Sequence, residues 1–302
     1  MKSIQSLNKK YKISLLAQSV IHSSNFMKPI YALLFLLSTM LLSSCEDVID
    51  IKAPEGKDAL VVEGWLTNRP QNHYVKLYLT KKLSDNSSYT PVTNATVTIK
   101  DNDGLTEALQ EVSAGTYEIK TLKSVSGKTY TLSVVSLKGN YEAVAATPRL
   151  SLIPDSLTFK FEKKSNIYEK EGFYPRFHGQ EVEGKGDYVQ VRLYKNSKYL
   201  NMDGDFNLFS DEFVDGNYIG DAELAVNDPF AKDDQVKAEV WSLTEDAFKF
   251  WVDIQTQLQN GQIFATSFAN TRTNVKKKTS SSLDAVGYFG SSVVKSVEKK
   301  VQ

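Results

Sequence analysis

Runs of alternating apolar and polar residues follow one another along the chain from Ala59 onward. In Tyr74–Thr80 every second side chain suits a protein core, as the two-residue period of a pleated strand requires. Turn residues separate the runs, and Asp101–Gly104 has the composition of a tight hairpin turn. The strands predicted for the first part of the chain are Leu60–Leu66, Tyr74–Thr80, Ala95–Lys100, Thr106–Glu111, Thr116–Lys120, Lys128–Val135 and Tyr141–Ala146.

The same alternation continues in the second half, where two long polar stretches interrupt it. Pro148–Pro154 marks the boundary, and the strongest strand patterns after it are Ser156–Lys163, Asp187–Lys195 and Gln235–Ser242. Phe264–Phe268 and Val286–Val294 are expected to close the sheet. Residues 164–186 and 196–234 are predicted as long loops. Because loops of more than about 15 residues in a compact domain are usually functional or disordered, we expect a binding surface there.

One amphipathic helix is predicted at residues 244–260, against this β background. Thr244 suits the N-cap, and Glu245 and Asp246 occupy the first turn, where the helix dipole favours anions. Gly261 is a suitable C-terminal stop. The apolar stripe consists of Phe248, Trp251, Ile254 and Leu258. Packing of this stripe against a sheet is favoured over a ligand site.

These patterns predict a mainly β protein with two immunoglobulin-like or transthyretin-like β-sandwich domains. The domains are expected at residues 59–148 and 149–302, with the helix in the second. A signal peptide at 1–44 and a lipidated tether at 45–58 are expected to precede them.

The signal peptide is predicted from the apolar run Ile30–Leu42, which is too short to span a bilayer as a mature helix. Leu42, Ser43, Ser44 and Cys45 form a lipobox, in which the cysteine thiol receives a diacylglycerol. Cys45 is the only cysteine of the chain. The alternative is a buried thiol that follows an apolar helix by coincidence.

Translation is expected to start at Met27, because residues 27–45 form a complete lipoprotein signal; a long n-region at 1–26 is the alternative. Glu46, Asp47 and Asp50 follow the cysteine. This acidic cluster resembles a surface-export signal of Bacteroidota lipoproteins, so an outer-membrane anchor facing the cell exterior is predicted. An ordinary solvated tether is the alternative.

Charge excludes one class of partner. The whole chain has a formal net charge of zero, and removal of residues 1–44 leaves −5. A mildly acidic surface repels the phosphates of nucleic acids and offers no basic patch to anionic lipids. Membrane attachment is therefore expected through the acyl chains on Cys45, and no nucleic-acid partner is expected.

Few residues carry recognisable chemistry. Beyond the signal peptide the chain has two histidines, and His73 is predicted in an exposed loop after Pro70. Tyr174, Arg176, Phe177 and His178 belong to an aromatic loop that could stack on sugars or peptides, although local packing is favoured. No Gly-x-Ser-x-Gly motif accompanies these histidines, so no catalytic residue and no cofactor are predicted.

A metal site is not predicted, although one segment begins like a calcium loop. Asp203–Asn207 has oxygen ligands at alternate positions, but Leu208 stands where the loop needs glycine and Val214 where it needs a bidentate glutamate. A polar turn is favoured. A variant calcium site that uses Asp211, Glu212 or Asp215 stays open.

The order of several motifs resembles one family. They are Leu60–Thr67, Val92–Ile99, Gly115–Tyr117, Gly127–Leu132, Phe213–Gly216, Asp233–Leu243, Phe248–Trp251 and Gly287–Phe289. In this order the chain resembles the domain of unknown function 4249 family of Bacteroidota outer-membrane lipoproteins, over almost all of residues 45–302. Ser210–Glu212 is an insertion relative to that pattern.

The resemblance implies a lipoprotein commonly encoded beside TonB-dependent outer-membrane transporters, and it implies no catalytic residues. We therefore expect a non-enzymatic accessory that helps such a transporter capture or admit a ligand. A structural or adhesive surface module that binds host or matrix protein is the alternative.

Overall fold

The computed structural model describes residues 57–82, 85, 87–260 and 270–302. The expected signal peptide, the lipobox at Leu42–Cys45 and the strand at Phe264–Phe268 lie outside these residues. The strands of the described residues are β1 (Ala59–Thr67), β2 (His73–Leu79), β3 (Thr96–Asp101), β4 (Thr106–Ala108), β5 (Gln110–Ser113), β6 (Thr116–Ile119), β7 (Thr129–Ser136), β8 (Gly139–Ala146), β9 (Leu152–Glu162), β10 (Gly172–Glu181), β11 (Tyr188–Lys195), β12 (Lys198–Tyr199), β13 (Asn207–Ser210), β14 (Tyr218–Glu223), β15 (Gln235–Leu243), β16 (Val275–Lys277), β17 (Asp284–Ser292) and β18 (Val294–Lys300). Helix α1 spans Glu245–Leu258.

Two five-stranded sheets enclose the first core. Their strand orders are β17-β1-β2-β6-β5 and β16-β8-β7-β3-β4. Alternate side chains of strands such as β2 and β7 point inward, which is the predicted two-residue period. Leu60, Ile99 and Tyr117 are among the side chains that fill the space between the sheets. This arrangement confirms the β-sandwich predicted for the first part of the chain.

A second core lies between two further sheets. One has the order β14-β10-β9, and the other has the order β12-β11-β15-β18 with β13 paired to β11. Phe177 and Phe230 on one side and Val191 and Val240 on the other belong to this core. The part of the chain that the structure describes is thus mainly β with one α-helix, as predicted.

Hydrogen bonding does not follow the expected division at residue 148. Strand β17 pairs with β1 in parallel, from Ala59 opposite Asp284 to Thr67 opposite Ser292. Strand β16 pairs with β8. Gly287 makes the parallel pairing possible, because its φ of 90° suits glycine and a Cβ there would overlap the carbonyl oxygen of Val62. Strands β16 and β17 therefore return to the first sandwich, whereas the last strand, β18, pairs with β15 in the second.

The helix has the predicted start. The Thr244 side chain accepts a hydrogen bond from the Ala247 backbone N–H, which caps the first turn. Phe248, Trp251 and Ile254 pack against a third cluster that contains Leu243 and Tyr288. Leu258, the fourth member of the predicted stripe, is half exposed. The other three residues of the stripe pack in the core, as predicted. Among the described residues there is no helix that could span a bilayer.

Candidate functional site

The predicted aromatic loop is a β-strand. Tyr174, Arg176, Phe177 and His178 all lie in β10, where each pairs with a residue of β9. Phe177 is buried in the second core and Tyr174 is also buried, so neither aromatic face is free for stacking. The loop prediction is wrong because these large apolar side chains fill the interior between sheets.

The polar residues of β10 are held in local contacts. Nη2 of Arg176 lies 2.6 Å from Oε2 of Glu223 on the neighbouring strand. Nδ1 of His178 accepts a hydrogen bond from the Asp221 backbone N–H, and its Nε2 lies 2.9 Å from Oγ1 of Thr158. Strands also occupy much of the two predicted long loops, since β10 lies in residues 164–186 and β12, β13 and β14 lie in 196–234.

His73 is buried, which contradicts its predicted exposed position. It begins β2, and its Nε2 lies 2.5 Å from Oγ1 of Thr67. Burial and the nearby charges of Lys123 and Arg69 lower its pKa to about 4. The loop interpretation relied on Pro70, but the chain enters the strand directly after the turn. A neutral, enclosed imidazole is the result.

The calcium-like segment is a compact polar turn. Asp203–Asp205 forms one turn of 3-10 helix. Oδ1 of Asp205 accepts a hydrogen bond from the Asn227 backbone N–H, and its Oδ2 accepts one from that of Met202. Oδ1 of Asp203 accepts a hydrogen bond from the Gly204 N–H. These contacts occupy the carboxylates and support the polar-turn interpretation.

Three acidic residues from distant parts of the chain meet at the edge of the second core. Glu181 ends β10, Asp187 precedes β11, and Asp211 follows β13. Pairing of Tyr188 with Ser210 places Asp187 and Asp211 side by side, and the Asp211 backbone N–H donates to the Asp187 carbonyl over 3.1 Å. We call these three residues the acidic cluster.

The carboxylates of the acidic cluster converge on a small cavity. One carboxylate oxygen from each residue lies within 4.8 Å of the others. All three residues line a cavity of about 20 Å³, which is enough for a single water molecule or ion. Only 3% of Glu181 and 5% of Asp211 are exposed. The site is therefore an interior one, unlike an ordinary acidic surface patch.

Glu181 and Asp211 are incompletely hydrogen-bonded. Oε2 of Glu181 accepts a hydrogen bond of 2.6 Å from the Gly216 backbone N–H. Oε1 of Glu181 and Oδ2 of Asp211 are buried and have no hydrogen-bond partner. Burial raises the pKa of Glu181, and the charges of Asp187, Asp211 and Asp215 raise it further against the effect of the Gly216 N–H. The two unpaired acceptors thus belong to residues that line the same cavity.

Arg149 is the cation at this site. Its Nη2 lies 2.5 Å from Oδ2 of Asp187 and also donates to the carbonyl oxygens of Val182 and Gly184. Arg149 therefore pairs with Asp187, whereas neither Glu181 nor Asp211 has an ion-pair partner among the described residues. Such oxygen-only donor sets are suited to hard cations such as calcium.

A second unusual cluster surrounds Arg192 of β11. Its guanidinium carbon lies 3.6 Å from the ring centroid of Trp241 and 5.2 Å from that of Trp251. Trp65 packs against both tryptophans, with centroid distances of 6.5 and 5.7 Å. Cation–π contact of this kind stabilises a charge away from water. Because these residues come from both sandwiches and the helix, we interpret the cluster as structural.

Sequence reasoning missed the acidic cluster for the most part. Of its three residues, the sequence indicates only Asp211 as a possible ligand, in a variant of the calcium-like segment. Glu181 and Asp187 lie far from it in sequence, and no spacing rule connects the three. A strand prediction for β13 would have been the useful signal, because its pairing with β11 brings Asp187 and Asp211 together.

The fold defines the class of the protein: the described residues form a mainly β structure with two sandwich cores, one packing helix and a strand near the C-terminus, β17, that returns to the first sheet. It belongs to the family described as a domain of unknown function (DUF4249), whose model matches residues 46–298. This match confirms the family that the motifs indicate.

Other comparisons are less informative. A structure titled "Biofilm associated protein - BSP domain" is similar at 15% identity over 62% of this chain, with a TM-score of 0.17. The aligned region is 27% of that protein's chain, and a score this low supports no argument. No curated protein matches the chain.

Proposed function

We propose that this protein is a lipid-anchored, non-enzymatic protein of the outer-membrane surface that assists a TonB-dependent transporter in ligand capture or uptake. The observation that carries the proposal is the lipobox ending at Cys45. The family match begins at residue 46, immediately after this cysteine, so the whole family domain would follow the anchor.

The histidine environments support a non-enzymatic role. The lowered pKa of His73, about 4, follows first from its burial, so the side chain is neutral near pH 7 and enclosed. Both ring nitrogens of His178 are engaged, with Thr158 and with the Asp221 backbone. Neither histidine is therefore placed to accept a proton from a nucleophile.

The anchor can be tested by replacing the thiol that would be acylated. We expect the wild-type chain to incorporate labelled palmitate and to fractionate with the outer membrane, and the Cys45→Ser variant to lose both properties. Protease added to intact cells should degrade the wild-type protein if it faces the exterior. Labelling that persists in Cys45→Ser would overturn the assignment of the anchor.

The partner can be tested by extraction of the tagged protein from its native outer membrane with a mild detergent, followed by mass spectrometry. One stoichiometric TonB-dependent transporter is expected with the wild-type chain and not with Cys45→Ser expressed at the same level. Recovery with no transporter would contradict the accessory role. Recovery with host or matrix proteins alone would support an adhesive module instead.

A further inference from the structure

Two buried carboxylate oxygens without hydrogen-bond partners need an explanation. Oε1 of Glu181 and Oδ2 of Asp211 are both enclosed, in side chains more than nine-tenths buried. Burial of a charged acceptor without a partner is costly, and folded proteins avoid it unless an ion, a proton or a water satisfies the group. We propose that Glu181, Asp187 and Asp211 bind one divalent cation of the calcium class in the cavity that they share.

The spacing of the oxygens fits one ion. Calcium–oxygen bonds are about 2.4 Å long, so oxygens on opposite sides of one calcium ion lie about 4.8 Å apart. One oxygen from each residue of the acidic cluster lies within 4.8 Å of the others. The cavity of about 20 Å³ is large enough for a single ion and too small for an organic ligand.

The charge of the site also fits a divalent ion. The three carboxylates of the acidic cluster carry three negative charges when ionised, and Arg149 compensates one through its contact with Asp187. A charge of about −2 remains among buried groups. A monovalent cation would leave part of it uncompensated, whereas one divalent cation neutralises it.

Calcium is favoured over magnesium and zinc by the ligand set. Magnesium usually keeps several of its waters and is rarely held by an all-protein cage, and structural zinc sites use cysteine and histidine. Ser151 and Ser210 line the same cavity and bring further oxygen atoms, as an ion with six to eight ligands requires. A bound calcium would connect the end of β10, the start of β11 and the turn after β13.

The test uses the full-length lipoprotein, extracted in detergent and freed of metal by EDTA treatment and dialysis. Equilibrium dialysis with ⁴⁵Ca²⁺ should reveal one saturable ion per chain, with a dissociation constant of about 10⁻⁴ to 10⁻³ M, as in extracellular calcium modules. Calcium should also raise the thermal unfolding midpoint, because the ion binds the folded state. Magnesium at the same concentration should raise it less, because the ligand set favours calcium.

Isosteric variants locate the site. Glu181→Gln and Asp211→Asn each remove one charged ligand and should weaken calcium binding at least about tenfold. Glu212→Gln is the matched control, because Glu212 is adjacent to Asp211 in the chain but exposed. Asp203→Asn is the second control, in the segment that resembles a calcium loop. Both controls should bind calcium as the wild-type chain does.

Two results would overturn the proposal. One is the absence of saturable ⁴⁵Ca²⁺ binding by the folded wild-type protein up to about 10 mM, which is beyond the affinity range of such sites. The other is binding that Asp203→Asn removes and Glu181→Gln leaves intact. Circular dichroism establishes that each variant is folded, and the wild-type measurement decides even if one variant is not. Neither result bears on the membrane anchor or the transporter.

Discussion

Two glutamates of the second half are equally buried but have opposite environments. Glu239 in β15 and Glu181 at the end of β10 are each 3% exposed. Burial alone would raise the pKa of Glu239, but Lys237, Arg69 and Tyr194 outweigh this effect and hold it below its ordinary value. Burial raises the pKa of Glu181, and the neighbouring carboxylates raise it further.

Hydrogen-bond donors account for the difference. Glu239 contacts Nη1 of Arg69 at 3.0 Å and Nζ of Lys237 at 2.9 Å, and it accepts from the Tyr194 hydroxyl and from Nε1 of Trp241. Glu181 accepts one hydrogen bond from a backbone N–H, that of Gly216. Burial by itself therefore does not determine the direction in which the pKa of a carboxyl group shifts. Donors lower the pKa of a buried carboxylate, whereas neighbouring carboxylates raise it, as at the proposed cation site.

The largest expected effect is loss of the Glu239 charge. Glu239→Gln leaves Arg69 and Lys237 without their shared anion, and removing one partner of a buried pair typically costs about 3–5 kcal/mol. Arg69 also stacks on Trp241, at 4.6 Å from the ring centroid, so its displacement would disturb that packing. Urea unfolding near pH 7 measures the difference in the free energy of unfolding.

An exposed ion pair supplies the control for this prediction. Oε1 of Glu63 lies 3.8 Å from Nζ of Lys76, and both side chains are more than half exposed. Glu63→Gln should change the free energy of unfolding by less than about 0.5 kcal/mol, because water screens such pairs. Equal effects of the two substitutions would refute the claim that Glu239 stabilises the fold through buried partners.

His73 extends the comparison to a buried base in the first sandwich. Burial and two nearby cations lower its pKa from 6.5 to about 4. As the pH falls, His73 of the unfolded chain therefore takes up a proton before His73 of the folded chain. The contribution of His73 to the free energy of unfolding is constant above about pH 6.5 and decreases as the pH falls toward 4. The loss amounts to about 3 kcal/mol at pH 4.

Measurement of the unfolding free energy between about pH 7 and 4 tests this prediction, with His73→Gln as the comparison. The variant has no imidazole to protonate, so its stability should fall less steeply over this range. Other groups titrate in both proteins and cancel in the difference. Parallel curves would mean that His73 is readily protonated in the folded chain.

Local sequence patterns predicted the strands and the helix well, because they depend on neighbouring residues. The alternation in Tyr74–Thr80 matches β2, and Thr244 caps α1 as expected. The partner of a strand is a different question. Nothing in Val286–Val294 indicates that most of it pairs with β1, more than 200 residues earlier in the chain. The return of β17 to the first sheet was therefore not predictable from periodicity.

The loop predictions in the second half of the chain were wrong for a related reason. Strand β10 contains a proline and two glycines, which usually indicate turns, yet Tyr174 and Phe177 are buried in it. Its register shifts between His178 and Gly179, so no simple alternation runs through the strand. The acidic cluster depends on this strand and on the β11–β13 pairing. A site made by tertiary contacts alone could not be derived from sequence spacing.

The smallest predicted change has the opposite sign to the Glu239 effect. In metal-free protein near pH 7, Glu181→Gln should stabilise the fold by about 1 kcal/mol, because the neutral amide is not repelled by the neighbouring carboxylates. The raised pKa of Glu181 means that its contribution to stability is present below its unfolded pKa and is lost as the pH rises through the folded value. Glu181→Gln has no carboxyl group to ionise at this position, so its stability should not decrease for this reason as the pH rises.

Urea unfolding in EDTA, at about pH 4 and about pH 7, measures the change, with Glu183→Gln as an exposed control. Addition of calcium should reverse the order, because only the wild-type chain keeps all three charged ligands. If Glu181→Gln is more stable than the wild-type chain without calcium and less stable with it, the charge of Glu181 destabilises the metal-free fold and stabilises the calcium-bound one. A variant that is less stable in EDTA at both pH values would place Glu181 with Glu239, as a carboxylate that stabilises the fold.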